Sequence, residues 1–169
     1  MRQFIVFSTL FLIISLNWTL RAQVIVWEEN FPFAEKGIWP VPGGEMHTDL
    51  SGVDWYLDAS ASRFPDEKAW VKTVATDGGR FETMASYGDV YWYSPVLPIA
   101  EYDVVRVSLW VKETGSGSNS TKKYVRACYS LNGGAFSPFE TDSLAEGNWG
   151  EMQLKQNGLQ GTTVQLCLV

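Results

Sequence analysis

The chain has 169 residues, enough for one domain with a sizeable core and too few for two large ones. Thirteen basic side chains against nineteen acidic ones leave a formal charge of −6, a balance that argues against partners demanding clustered cations, such as nucleic acid or an anionic membrane surface. Aromatic residues make up 14%, eight of them tryptophan, which excludes a disordered chain and suits an all-β one.

The first stretch reads as a leader. Arg2 precedes the apolar run "FIVFSTLFLIISL" (4–16), shorter than the roughly 20 residues that cross a bilayer as a helix. The polar "NWTLRAQ" follows, with Ala22 as the small residue before a cut. Residues 1–22 are therefore expected to be a signal peptide, with a secreted mature chain from Gln23 that carries no membrane span and is one module over 23–169.

From there the apolar pattern has period two. "QVIVWEENF" (23–31) is the first strand candidate, and the Pro/Gly-rich 32–52 reads as an irregular connection. Further strands are expected at 53–59, 69–75, 80–84 and 89–97. In 103–113, Val105, Val107, Leu109 and Val111 share one face and Arg106, Ser108, Trp110 and Lys112 the other. After "TGSGSNST", 123–131 returns, "NGG" (132–134) signals a tight hairpin turn, and 152–154 (weakly) and 162–169 complete the set. About nine short strands and no amphipathic helix mean an all-β fold, a two-sheet antiparallel β-sandwich.

The aromatic run Tyr91-Trp92-Tyr93 is divided by strand parity. Val90, Trp92, Ser94 and Val96 face one way, as core, while Tyr91 and Tyr93 face the other. Trp110, opposite the Val105/Leu109 stripe, and Tyr124 with Arg126 extend that second face. Tyr91, Tyr93, Trp110, Tyr124 and Arg126 are the candidate ligand-binding set, in which rings stack on sugar and an arginine orients it. The same rings can instead be cross-strand packing. Cys128 and Cys167 each fall in the parity opposite their strand's apolar residues, so a shared face and a disulfide between them are expected. His47 in "GGEMHTDLSG" has Glu45 and Asp49 nearby, yet a single loop histidine is more often solvated surface. No G-x-S-x-G, P-loop or C-x-x-C is present.

The succession "GVDWYLDAS", "GRFE", "GDVYWYSPVLPI", "YDVVRVSLWVKETG", "YVRACYSLNGGAFSPFE" and "GLQGTTVQLCLV" resembles the concanavalin A-like (LamG or MAM type) jelly rolls of secreted bacterial surface proteins that use Type IX secretion. It covers roughly residues 52–169, by order and spacing alone. The resemblance implies a jelly roll, a place in a larger exported protein and a secreted or outer-surface location. It also implies a further closing strand, so that the chain reads as lacking its last strand. Laminarinase-type relatives carry E-x-D-x-x-E on one strand, whose retaining carboxylates stand about 5 Å apart. That motif is missing, and Glu28 and Glu29 point to opposite faces, so no catalytic residues and no enzyme are expected. The resemblance also allows a structural Ca²⁺, to which Asp49, Asp54, Asp58, Asp66, Asp77 and Asp89 could contribute, without an assigned ligand set. The expected function is binding or presentation at the cell surface, with a glycan or surface protein as partner. The alternatives are a structural spacer or adhesion domain and, less favoured, a glycoside hydrolase.

Overall fold

Alternation becomes structure most directly in the longest strands. The computed structural model describes residues 24–32, 35–65, 67–75, 79–84, 86–112, 124–140, 144–146 and 150–169. Residues 1–22, expected to be a signal peptide, lie outside them. In chain order the strands are β1 (Gly37–Pro40), β2 (Met46–Asp49), β3 (Tyr56–Asp58), β4 (Trp70–Val74), β5 (Arg80–Met84), β6 (Tyr91–Tyr93), β7 (Leu97–Pro98), β8 (Val105–Lys112), β9 (Tyr124–Leu131), β10 (Ser137–Pro138), β11 (Leu144–Glu146), β12 (Glu151–Leu159) and β13 (Thr163–Leu168). The described residues contain no helix, and thus none long and apolar enough to cross a membrane.

All pairings between these strands are antiparallel, and the architecture is an all-β sandwich. The central sheet runs β10-β9-β13-β6-β3, with β7 also on β13 and β11 also on β9. Two smaller sheets share its core: β2-β1-β4-β5, and the pair β12-β8. The two sheets expected from the sequence are thus three hydrogen-bonded units. One cluster of buried side chains joins them, with Val71 from β4, Leu57, Trp92, Ala127, Val164 and Leu166 from the central sheet, and Leu154 and Leu159 from β12. Val105, Val107, Leu109 and Val111 of β8 pack against that cluster from the expected face.

Three local expectations are corrected. Residues 24–30 form no strand; their segment is held instead by rings, Trp27 lying 6.4 Å from Trp92 and Phe31 between Trp55, Phe81 and Trp92 at 5.6–6.3 Å. Gly79 accepts this close approach, since a Cβ there would stand 2.5 Å from the carbonyl oxygens of Asn30 and Phe31. The Pro/Gly-rich connection contains the β1–β2 hairpin: its prolines and glycines make the turn, where Val41 N–H donates to Glu45 O at 2.9 Å. Finally, the 89–97 strand breaks into β6 and β7, which leaves Val96 58% exposed and not in the core. Ser94 fills the break, its N–H donating to Leu166 O and its Oγ accepting from Leu166 N–H.

Strand β12 is longer than the sequence suggests. Its inward positions include Gln156, 1% exposed, whose polarity interrupts the apolar alternation. The fold accepts it because the Gln156 amide is satisfied on both sides: Oε1 accepts from Glu140 N–H at 2.7 Å and Nε2 donates to Asn157 O at 2.8 Å. The "NGG" signal becomes a tight turn, with Asn132 and Gly133 at φ +55° and +72°. Asn132 Oδ1 also accepts from Thr162 N–H at 2.7 Å, which fixes the entry into β13.

Candidate functional site

The outward face of the central sheet is set by the register around β6. Tyr93 stands opposite Tyr56 on β3 and Cys167 on β13, and Tyr91 opposite Asp58. Cys167 in turn stands opposite Cys128 on β9. Their sequence neighbours Leu57, Trp92 and Leu168 belong to the core or pack on it, so this entire set points away from it.

The rings on this face form a row. Tyr91 and Tyr93 are nearly parallel, 11° between planes with centroids 6.3 Å apart, and Tyr56 lies 6.2 Å from Tyr93 at 28°. Phe136, from the loop before β10, closes on Tyr93 at 5.6 Å. Tyr56 remains 59% exposed and Phe136 41%, so the row is open to solvent.

A polar end adjoins the rings. Asp89 accepts from the Tyr91 hydroxyl at 3.3 Å and, on its other oxygen, from the Tyr124 hydroxyl. The Arg126 guanidinium sits over the Tyr124 ring, 5.9 Å from its centroid. The hydrogen bond to Asp89, with desolvation behind it, pushes the Tyr124 phenol up to about 12. Burial, then the neighbouring Cys167, takes Tyr93 to about 12, and the Asp89 charge raises Tyr91. All three phenols are therefore neutral donors at neutral pH. Such a face can stack on a flat, weakly polar ring and exchange hydrogen bonds with hydroxyls at its edge.

Of the five residues expected to form a binding set, Tyr91, Tyr93, Tyr124 and Arg126 come together here. Trp110 does not. It lies on β8, paired with Gln153 of β12, and points out of the other side of the shared core, 69% exposed. Strand parity assigns a residue to the outside of its own sheet, and two sheets packed face to face have opposite outsides. Sequence reasoning also missed Tyr56, Phe136 and the anchoring role of Asp89. The alternation Trp55-Tyr56-Leu57, buried-exposed-buried, carried the signal for Tyr56. Phe136 sits in a turn, and Asp89 acts on Tyr124 across 35 residues, so neither had a local signature.

Cys128 and Cys167 share the face, directly opposite each other, but both are free thiols and the expected bridge is not formed. Arg126 and Val169 exchange both backbone hydrogen bonds at 2.9 Å, so two residues along, Cys128 and Cys167 are again a hydrogen-bonded pair. That register holds Cβ atoms near the wide end of the cross-strand range, about 5.5 Å, beyond the roughly 4.5 Å a disulfide tolerates. Burial raises both thiols, Cys167 to about 11, which keeps them protonated.

The other candidates disperse. Asp49 is engaged by Lys36 at 2.9 Å and by Ser51, which hold its carboxyl well below the usual range. Ser60 lowers the Asp58 carboxyl, through its hydroxyl first and then through its N–H, which donates at 2.9 Å. His47 is exposed on the β2 edge, its ring 4.6 Å from Trp39. Asp66 and Asp77 lie outside the described residues. Among those described, no three acidic, histidine or cysteine side chains converge on a common point, so the calcium expectation acquires no site. No known protein-family profile matches the chain, and no curated protein matches it.

Proposed function

We propose that the chain is a secreted, non-catalytic β-sandwich module that binds a glycan or surface polysaccharide through the outer face of its central sheet. The observation that carries this reading is the solvent-open row Tyr56–Tyr93–Tyr91, with Phe136 beside Tyr93 and Asp89, Tyr124 and Arg126 at its polar end. The resemblance to concanavalin A-like modules of exported bacterial proteins supports the same reading. The leader-like residues 1–22 support cleavage before Gln23, and the resemblance supports membership of a larger surface protein.

Affinity electrophoresis through gels containing soluble polysaccharides tests it. At least one glycan is expected to retard the wild-type chain, and Tyr93→Ala is expected to migrate freely while remaining folded. A folded chain retarded by no glycan across a broad set defeats the proposal. The second reading, a structural spacer or adhesion domain, is favoured by one observation: the rings contact each other as cross-strand packing would. Under it, Tyr93→Ala lowers stability and alters no binding. Turnover of any retained glycan would return the hydrolase reading.

A further inference from the structure

The sequence-wide acidity conceals one cationic surface that only the register assembles. On β8 the outward positions are Arg106, Ser108, Trp110 and Lys112, all exposed. The β12 register sets Lys155 opposite Ser108, Gln153 opposite Trp110 and Glu151 opposite Lys112. Among the described residues of these two strands, three cations and one carboxylate thus share the outer face with an indole that is 69% exposed, on a chain whose formal charge is −6. Glu151 engages Lys112 only at 3.7 Å with both side chains more than half exposed, a pair of little energetic consequence.

The fold does not need this indole. β8 is held by its other face, where Val105, Val107, Leu109 and Val111 meet the core, and opposite Leu109 stands the fully buried Leu154. The indole is therefore left available to a partner in solution.

We propose that the outer face of β8–β12 binds a carboxylate-bearing polysaccharide, a polyuronate-like chain. Outward side chains repeat about every 7 Å along a strand. Lys155 therefore flanks the indole on one side and Lys112 on the other, with Arg106 one step further, in a line of about 20 Å. A linear polyanion with separated charges fits that line: one sugar ring stacks on Trp110, neighbouring carboxylates meet the cations, and Ser108 and Gln153 offer partners to hydroxyls between them. This surface faces away from the tyrosine row, and the inference stands or falls without it.

Retention of the intact protein on immobilised polygalacturonate, with neutral dextran as control, tests the inference. Wild-type protein is expected to bind polygalacturonate in low salt, ignore dextran, and release as salt screens the lysines. Trp110→Ala and Lys155→Glu should each weaken binding about tenfold or more with an unchanged thermal midpoint, both sites being exposed. Arg63→Glu, the same charge change outside this face, should leave binding intact. Absence of retention in low salt overturns the proposal, as does equal loss with Arg63→Glu, which would reduce the effect to net charge. Tighter binding to single-stranded DNA or to phosphatidylglycerol vesicles than to polygalacturonate also overturns it, in favour of those partners.

Discussion

The two sides of the central sheet use aromatic residues in opposite ways. Inside, Trp27, Phe31, Trp55, Phe81 and Trp92 form a contiguous cluster with centroids 5.6–6.4 Å apart. The indole N–H groups of Trp55 and Trp92 find no acceptor there. Outside, β6 and the strands β3 and β9 of the same sheet carry phenols: the Tyr91 and Tyr124 hydroxyls reach Asp89, Tyr93 lies against Cys167, and Tyr56 is exposed. Adjacent residues of one strand, Trp92 and Tyr93, thus serve different ends. The indole contributes area large enough to repay an unmet N–H, whereas a phenol keeps its polar tip where it can be hydrated. Stability is therefore expected to reside on the inner side and recognition on the outer.

The largest test of that division is Trp92→Ala. It should cost about 3–5 kcal/mol in chemical denaturation, as for other buried aromatics, and a cost near that of an exposed site would erase the distinction. Leu154→Ala extends the comparison to β12 and should cost about 2–5 kcal/mol, while Ser108→Ala on the outer side of the neighbouring β8 should stay within about 0.5 kcal/mol. Equal costs would mean that the β8–β12 parity is reversed. Tyr93→Ala should cost only about 1 kcal/mol, from its cross-strand ring contacts, yet remove glycan retention. A Tyr93→Ala protein as destabilised as Trp92→Ala would make the outer row a second core.

The smallest expected effect is electrostatic. A phenol whose folded-state pKa exceeds its unfolded value near 10 contributes stability that is complete below pH 10 and lost as pH rises toward the folded value, about 12 for Tyr93 and Tyr124. Denaturation midpoints should accordingly hold through neutral pH and fall between about pH 10 and 12. Asp89→Asn removes the carboxylate that hydrogen-bonds Tyr124 and whose charge raises Tyr91, so two phenols should ionise earlier in an ultraviolet tyrosinate titration. Tyr93, raised first by burial, should remain late. An unchanged titration curve would separate Asp89 from the tyrosine row.

The sequence by itself determined what is local. Period-two alternation identified β4, β5, β8, β9 and β13 and divided Trp92 from Tyr91 and Tyr93, because successive side chains of any strand must point to opposite faces. Where alternation was broken by a satisfied buried amide at Gln156, or where proline and glycine built a hairpin turn, the same rule gave too short a strand or none. Tertiary structure decided which outsides coincide. Only the order β9-β13-β6-β3 sets Cys128, Cys167, Tyr93 and Tyr56 in one line and brings Tyr124 to Asp89, while pairing β8 with β12 sends Trp110 to the far side among lysines. Neighbour order follows from how all the apolar faces are buried at once, and no window of sequence contains that condition.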